Sequence, residues 1–169
     1  MVVTNDAMLR NVFILEWNPE ISNVKINNFY DGIDLVKDNY SNWSVLDWEK
    51  AKEGDMFFLI KCGQEGPTGI VQQGIFSSDP YSGEDWSGKG RPTHYIDMDV
   101  HVHIDFRKAP ILTTAELEEA MPDFQWNGGH SGRILPEPLA LKIEQMWGEY
   151  LDKNQDIFDG EKAQMLMFL

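Results

Sequence analysis

Cysteine is nearly absent: Cys62 is the single thiol in 169 residues. No intramolecular disulfide can form and no thiolate zinc cluster can be built. Cys62 closes the apolar run that starts at Met56, so it reads as a small buried hydrophobe. Long hydrophobic runs are also missing, since no window approaches the ~20 apolar residues of a membrane helix. Residues Met1 to Asp6 lack a basic segment followed by an apolar stretch and a small-residue cleavage site. The expectation is a soluble, cytoplasmic protein with no membrane partner. Basic residues are scarce, with 14 Lys and Arg against 28 Asp and Glu and a net charge of −14. A broad grip on nucleic-acid backbone is thereby excluded, because that affinity comes from cations neutralising phosphates. Any nucleic-acid partner is held weakly, at a local site. Finally, there is no G-x-S-x-G elbow, no Gly-rich phosphate loop ending in Lys-Ser or Lys-Thr, and no H-E-x-x-H. No nucleophile is advertised and no cofactor is expected.

What is present is enough for a core. Hydrophobic residues make up 42% and aromatics 12%, too many for a disordered chain, and the length suits one domain. The division reads as one domain over residues 1–152 and a C-terminal extension over 153–169 that covers the domain or a partner with its apolar end, Met165 to Leu169. Val12 to Leu15 reads as a buried strand closed by Asn18-Pro19. Tyr30 to Val36 reads as a short helix. Met56 to Cys62 and Ile70 to Phe76 read as a hairpin opened by the turn at Gly54-Asp55. Ser77 to Thr93, with its glycines and prolines, reads as one long loop containing Tyr81 and Trp86. From Ile96 to Phe106 apolar residues alternate with Asp97, Asp99, His101, His103 and Asp105, the pattern of a half-buried strand. Thr113 is placed to cap a helix ending near Met121. Pro136 opens the longest helix, with Leu139, Ile143, Met146, Trp147, Tyr150 and Leu151 on one stripe. The sum is an α+β fold around a mostly antiparallel, barrel-like sheet.

Two constellations carry chemistry. Asp99, His101 and His103 occupy alternate positions of one strand, and carboxylates with imidazoles ligate divalent metals. A metal-dependent enzyme built on these three is one alternative. A glutamate shortly downstream would strengthen it, and Phe106-Arg107-Lys108-Ala109-Pro110 stands there instead. The plainer reading is the polar face of an antiparallel strand. His94 and His130 stand alone in loops. The second constellation is aromatic: Trp17-Asn18-Pro19, Trp43-Ser44, Pro80-Tyr81, Trp86, and Trp126 to Gly132. Flat aromatic walls interleaved with small polar groups suit a planar heterocycle, each base–aromatic stack being worth about 1–3 kcal/mol.

The ordered series Asn18-Pro19, Trp43-Ser44, Gly54-Asp55-Met56-Phe57-Phe58-Leu59, Gly69-Ile70-Val71, Pro80-Tyr81 with Trp86, Tyr95-Ile96-Asp97, Trp126 with Ser131-Gly132, and a final helix from Leu139 to Trp147 resembles the EVE domain of the PUA-like superfamily. The version it is most similar to often accompanies HNH nuclease domains. The resemblance covers about Val12 to Leu151. It implies a small, strongly curved, PUA-like β-barrel with flanking helices, and a pocket that receives a flipped base, in several relatives a modified cytosine. It further implies that Trp43 and Ser44 line the pocket mouth, Trp17 and Asn18 its floor, Trp126, Ser131 and Gly132 the opposite wall, and that Tyr81 helps close it. The chain departs from base readers in one respect. The loops hold Asp79, Glu84 and Asp85, with Lys89, Arg91 and Arg133 as the nearby cations. The expectation is a non-enzymatic module binding a nucleobase in DNA or RNA, with a nuclease or other protein as a further partner and a protein-interaction domain as the alternative.

Overall fold

The computed structural model describes residues 10–31, 42–85 and 87–157. Trp86, most of the helix expected from Tyr30 to Val36, and the apolar end of the C-terminal extension lie outside the described residues. Seven strands form one sheet: β1 (Val12–Trp17), β2 (Asn42–Ser44), β3 (Met56–Lys61), β4 (Gly69–Phe76), β5 (Tyr81–Glu84), β6 (Pro92–His103) and β7 (Arg133–Ile134). Their order is β2-β6-β4-β3-β1-β7, with β5 paired to β6 beside that path. β1 runs parallel to β3, Val12 opposite Met56 and Trp17 opposite Lys61, and the remaining pairs are antiparallel. This explains the continuous apolar run of β1. A strand flanked by strands on both sides and covered on both faces buries every residue, and all six residues of β1 are buried.

The sheet curls because its longest strand serves two sets of neighbours. Pro92 to Asp97 of β6 pairs with β5 and β2, and Met98 to His103 pairs with β4. Register shifts add curvature between Leu59 and Ile60 of β3 and between Gln73 and Gly74 of β4. The second shift changes the expected alternation of β6. Gly74 lies opposite Val100 and Gln73 opposite Val102, so His101 is the extra residue. Past it the chain is buried on both sides: Val102, His103, Ile104 and Asp105 are all buried. The expected loop from Ser77 to Thr93 is also corrected, since it contains β5 and the turn of the β5–β6 hairpin. Gly83 belongs there because a Cβ would stand 3.1 Å from the ring of Tyr95.

Among the described residues three α-helices flank the sheet: α1 (Ile26–Tyr30), α2 (Thr114–Ala120) and α3 (Glu137–Lys153). Thr113 caps α2 in a reciprocal box with Glu116. α3 buries Ala140, Ile143, Trp147 and Tyr150, and Trp147 meets Phe58 of β3 edge-on at 5.6 Å. Asp55, from the Gly54-Asp55 turn, is fully buried and holds the entry to β3 by accepting bonds from the Asn11 and Lys52 amides and the Lys52 ammonium.

The two edges of the sheet meet at a seam. Beyond β2, the amides of Leu46 and Asp47 each donate at 2.9 Å to the carbonyls of Ser131 and Gly132, just before β7. The Asp47 carboxylate accepts the Ile134 amide at 2.8 Å. Gly132 is required there: a Cβ would stand 2.2 Å from the Val45 Cα, and its φ is +84°. The result is a curled, mixed half-barrel with α-helices around it, an α+β arrangement.

Candidate functional site

A cleft of about 700 Å³ opens along this seam. The end of β1 contributes Glu16 and Trp17, with Asn18 just after it, the following turn Ile21 to Val24, β2 Asn42 to Ser44, the residue after β3 Cys62, the β5–β6 hairpin Glu84 and Tyr95, and the glycine-rich loop Gly128 to Ser131. Clefts of this size suit a small ligand, within the usual range of ~300–1,000 Å³.

Glu16 ties the walls together through every polar group it has. Its amide donates to the Ser131 hydroxyl at 3.1 Å and its carbonyl accepts the Trp43 indole N–H at 3.0 Å. Its carboxylate accepts from Arg133 Nη2 at 2.9 Å, from the Gly128 amide at 3.3 Å, and from the Cys62 thiol. Burial pushes the Glu16 carboxyl up to about 8, opposed by the charge of Arg133 and by these hydrogen bonds. The same neighbourhood pushes the Cys62 thiol up to about 12, through burial first and then the nearby carboxylate. Arg133 holds the loop in place as well, donating to the carbonyls of His130, Gln125 and Gly128, and its guanidinium lies over the Phe124 ring at 4.3 Å. It is therefore an internal clamp rather than a cation offered to phosphate.

The residues expected at a pocket divide into two groups. Trp17, Asn18, Trp43, Ser44 and Ser131 are brought together on the cleft wall. Trp17 is otherwise a core residue, 1% exposed, stacked on Phe29 at 4.2 Å with its indole N–H on the Val24 carbonyl. Trp43 is half-buried, so its ring is both held and accessible. Trp126, Gly132 and Tyr81 are elsewhere. Trp126 is fully buried, packed on Phe124 and donating to the Met121 carbonyl; an indole that fills the core is better served there than at a wall. Gly132 is buried in the seam. Tyr81 is 39% exposed on β5, with its hydroxyl donating to Asp97 at 2.6 Å and accepting from Asn42. Sequence reasoning missed Glu16 and Tyr95 as wall residues, whereas Gly128 to His130 belong to the glycine-rich segment it placed beside a pocket. Tyr95 lies opposite Tyr81 across the β5–β6 pair, with the ring centroids 6.4 Å apart.

The alternative metal set does not assemble. Asp99 and His101 are exposed and paired to each other at 3.4 Å. His103 is buried, bonded to the Gln72 amide at 2.9 Å and packed on Phe29 and Tyr30. Burial holds its imidazole down at about 4, a neutral ring in a dry environment. The extra residue at His101 is the physical reason the two imidazoles have different surroundings. Among the described residues no group of three His, Cys, Asp or Glu side chains is placed to hold a metal.

No family model and no curated protein matches the chain. Among solved structures it is similar to one described as "YTH domain-containing protein mmi1 and RNA complex", with a TM-score of 0.52 and 13% identity, over 92% of this chain and 93% of that one. At that identity the likeness concerns the fold, and the curled half-barrel is consistent with a PUA-like architecture.

Proposed function

We propose that this protein is a nucleic-acid-binding module that takes a single base into the seam cleft and acts by binding rather than catalysis. The observation that carries this reading is the cleft wall itself, where Trp43 and Tyr95 offer aromatic surface beside hydrogen-bonding groups of Asn18, Ser44, His130 and Ser131. A fixed ring suits stacking because little rotamer freedom remains to be lost on binding, and the Trp43 indole is already held by its bond to the Glu16 carbonyl. The PUA-like fold supports the reading, as does the RNA in the similar structure. The partner is RNA or DNA with an unstacked or flipped base, a modified cytosine among the candidates. The net charge of −14 limits backbone contacts to a few. A cytoplasmic location accords with this role.

The test is titration of labelled single-stranded and duplex oligonucleotides, with and without 5-methylcytosine or 5-hydroxymethylcytosine, at low salt. Saturable binding that weakens in Trp43→Ala is expected. Absence of binding to every oligonucleotide, or binding unaffected by the substitution, overturns the reading.

A further inference from the structure

We propose that the Glu16 carboxylate selects which base the cleft accepts, taking a hydrogen bond from an exocyclic amino group and so favouring cytosine and adenine over uracil and thymine. This inference rests on the base-binding reading and adds its specificity. Glu16 lines the cleft, and so do two partners of its carboxylate, Cys62 and Gly128. A carboxylate accepts about four hydrogen bonds. Arg133, Gly128 and Cys62 supply three donors, leaving one acceptor position and a side chain that is 4% exposed. The Arg133 ion pair and the Trp43 bond to the Glu16 carbonyl hold this acceptor in register with the aromatic wall.

An amino group satisfies such an acceptor. The O4 carbonyl of uracil meets it with like polarity, and a site built to hydrogen-bond one group rejects an analogue lacking it because buried polar groups are left unmatched. The protonated carboxyl behaves differently, since it can donate to O4 as well as accept. Selectivity therefore depends on the protonation of Glu16. The charged and titratable groups around it are Arg133, Cys62, His130, Tyr95 and Glu84; the Cys62 thiol, raised to about 12, keeps its proton throughout the range used below.

The experiment uses the full chain and three fluorescein-labelled nonamers: all abasic, abasic with one central cytosine, and abasic with one central uracil. Affinities are measured at pH 6 and pH 8.5, with Glu16→Gln and His130→Gln in parallel. The expected result is a cytosine preference of about tenfold at pH 8.5, shrinking toward equality at pH 6 in the wild type and in His130→Gln, and largely lost in Glu16→Gln. The pH comparison of wild type with His130→Gln does not involve Glu16→Gln, so it decides the matter even if that variant misfolds. Equal tightening by both bases at both pH values overturns Glu16 as selector while the base-binding reading stands. A pH effect abolished by His130→Gln moves selection to the imidazole and also overturns it. If neither base binds better than the abasic nonamer, both readings fall.

Discussion

The indole N–H of Trp43 donates to the backbone carbonyl of Glu16 at 3.0 Å, joining β2 to the end of β1 across the cleft. The two strands lie four places apart in the sheet, at β2 and β1 of the order β2-β6-β4-β3-β1-β7. Only the curl of the sheet brings them within hydrogen-bond reach.

Trp43 is therefore expected to act as both stacking surface and tie. Trp43→Ala should weaken oligonucleotide binding about 5- to 150-fold, the loss of one base–aromatic stack. Trp43→Phe keeps a ring but not the N–H, and should fall between wild type and Ala. Fluorescence polarisation titrations distinguish the three; an Ala variant as tight as wild type removes Trp43 from the site.

Trp126 fills the core and its effect should be on stability. Trp126→Ala should lower the unfolding free energy by about 3–5 kcal/mol, read from the urea midpoint. An unchanged midpoint would place the ring outside the core.

Gly132 and Gly88 provide a paired test of the seam. Both have positive φ, +84° and +74°, but a Cβ at Gly132 meets the Val45 backbone at 2.2 Å whereas at Gly88 it meets nothing within 4 Å. Gly88→Ala should cost about 1 kcal/mol of backbone strain. Gly132→Ala should cost clearly more, because β2 and β7 must separate to admit the methyl. Equal costs by thermal melting would show that the seam gives way easily.

Acid should expose His103. Its pKa is depressed from 6.5 to about 4 by burial, so the unfolded chain binds a proton that the native state refuses. The contribution is fully present above pH 6.5 and is lost as pH falls toward 4. Urea midpoints of wild type should decline across that window more steeply than those of His103→Gln.

Glu16 has the opposite sign. Burial raises its carboxyl from 4.5 to about 8, so the native state keeps a proton that the unfolded chain releases. Its contribution is fully present below pH 4.5 and is lost as pH rises through 8. Relative to Glu16→Gln, wild type should lose stability over that interval; parallel pH profiles for the two proteins would contradict the assigned environment.

Much of this was determined by the sequence alone. The continuous run of β1, the β3–β4 hairpin, the Thr113 cap and the stripe of α3 follow from local rules of burial, turn chemistry and periodicity, which need no knowledge of distant neighbours. Composition also fixed how few cations the chain can offer a polyanion, 14 Lys and Arg against 28 Asp and Glu. Tertiary structure decided the rest, because it concerns which distant segments meet. One extra residue at His101 separates His103 from the polar face that strict alternation gave it. Pairing with β6 turned part of a glycine-rich loop into β5, and Tyr95 lines the cleft where Tyr81 was expected. Trp17, Trp43 and Trp126 look alike in the sequence, yet one lines the floor from the core, one stands half-exposed at the seam and one is sealed inside. Glu16, surrounded by apolar residues in β1, carried no local sign of its place on the cleft. It lies there because the curled sheet brought Trp43, Cys62, Gly128, Ser131 and Arg133 to it from across the chain.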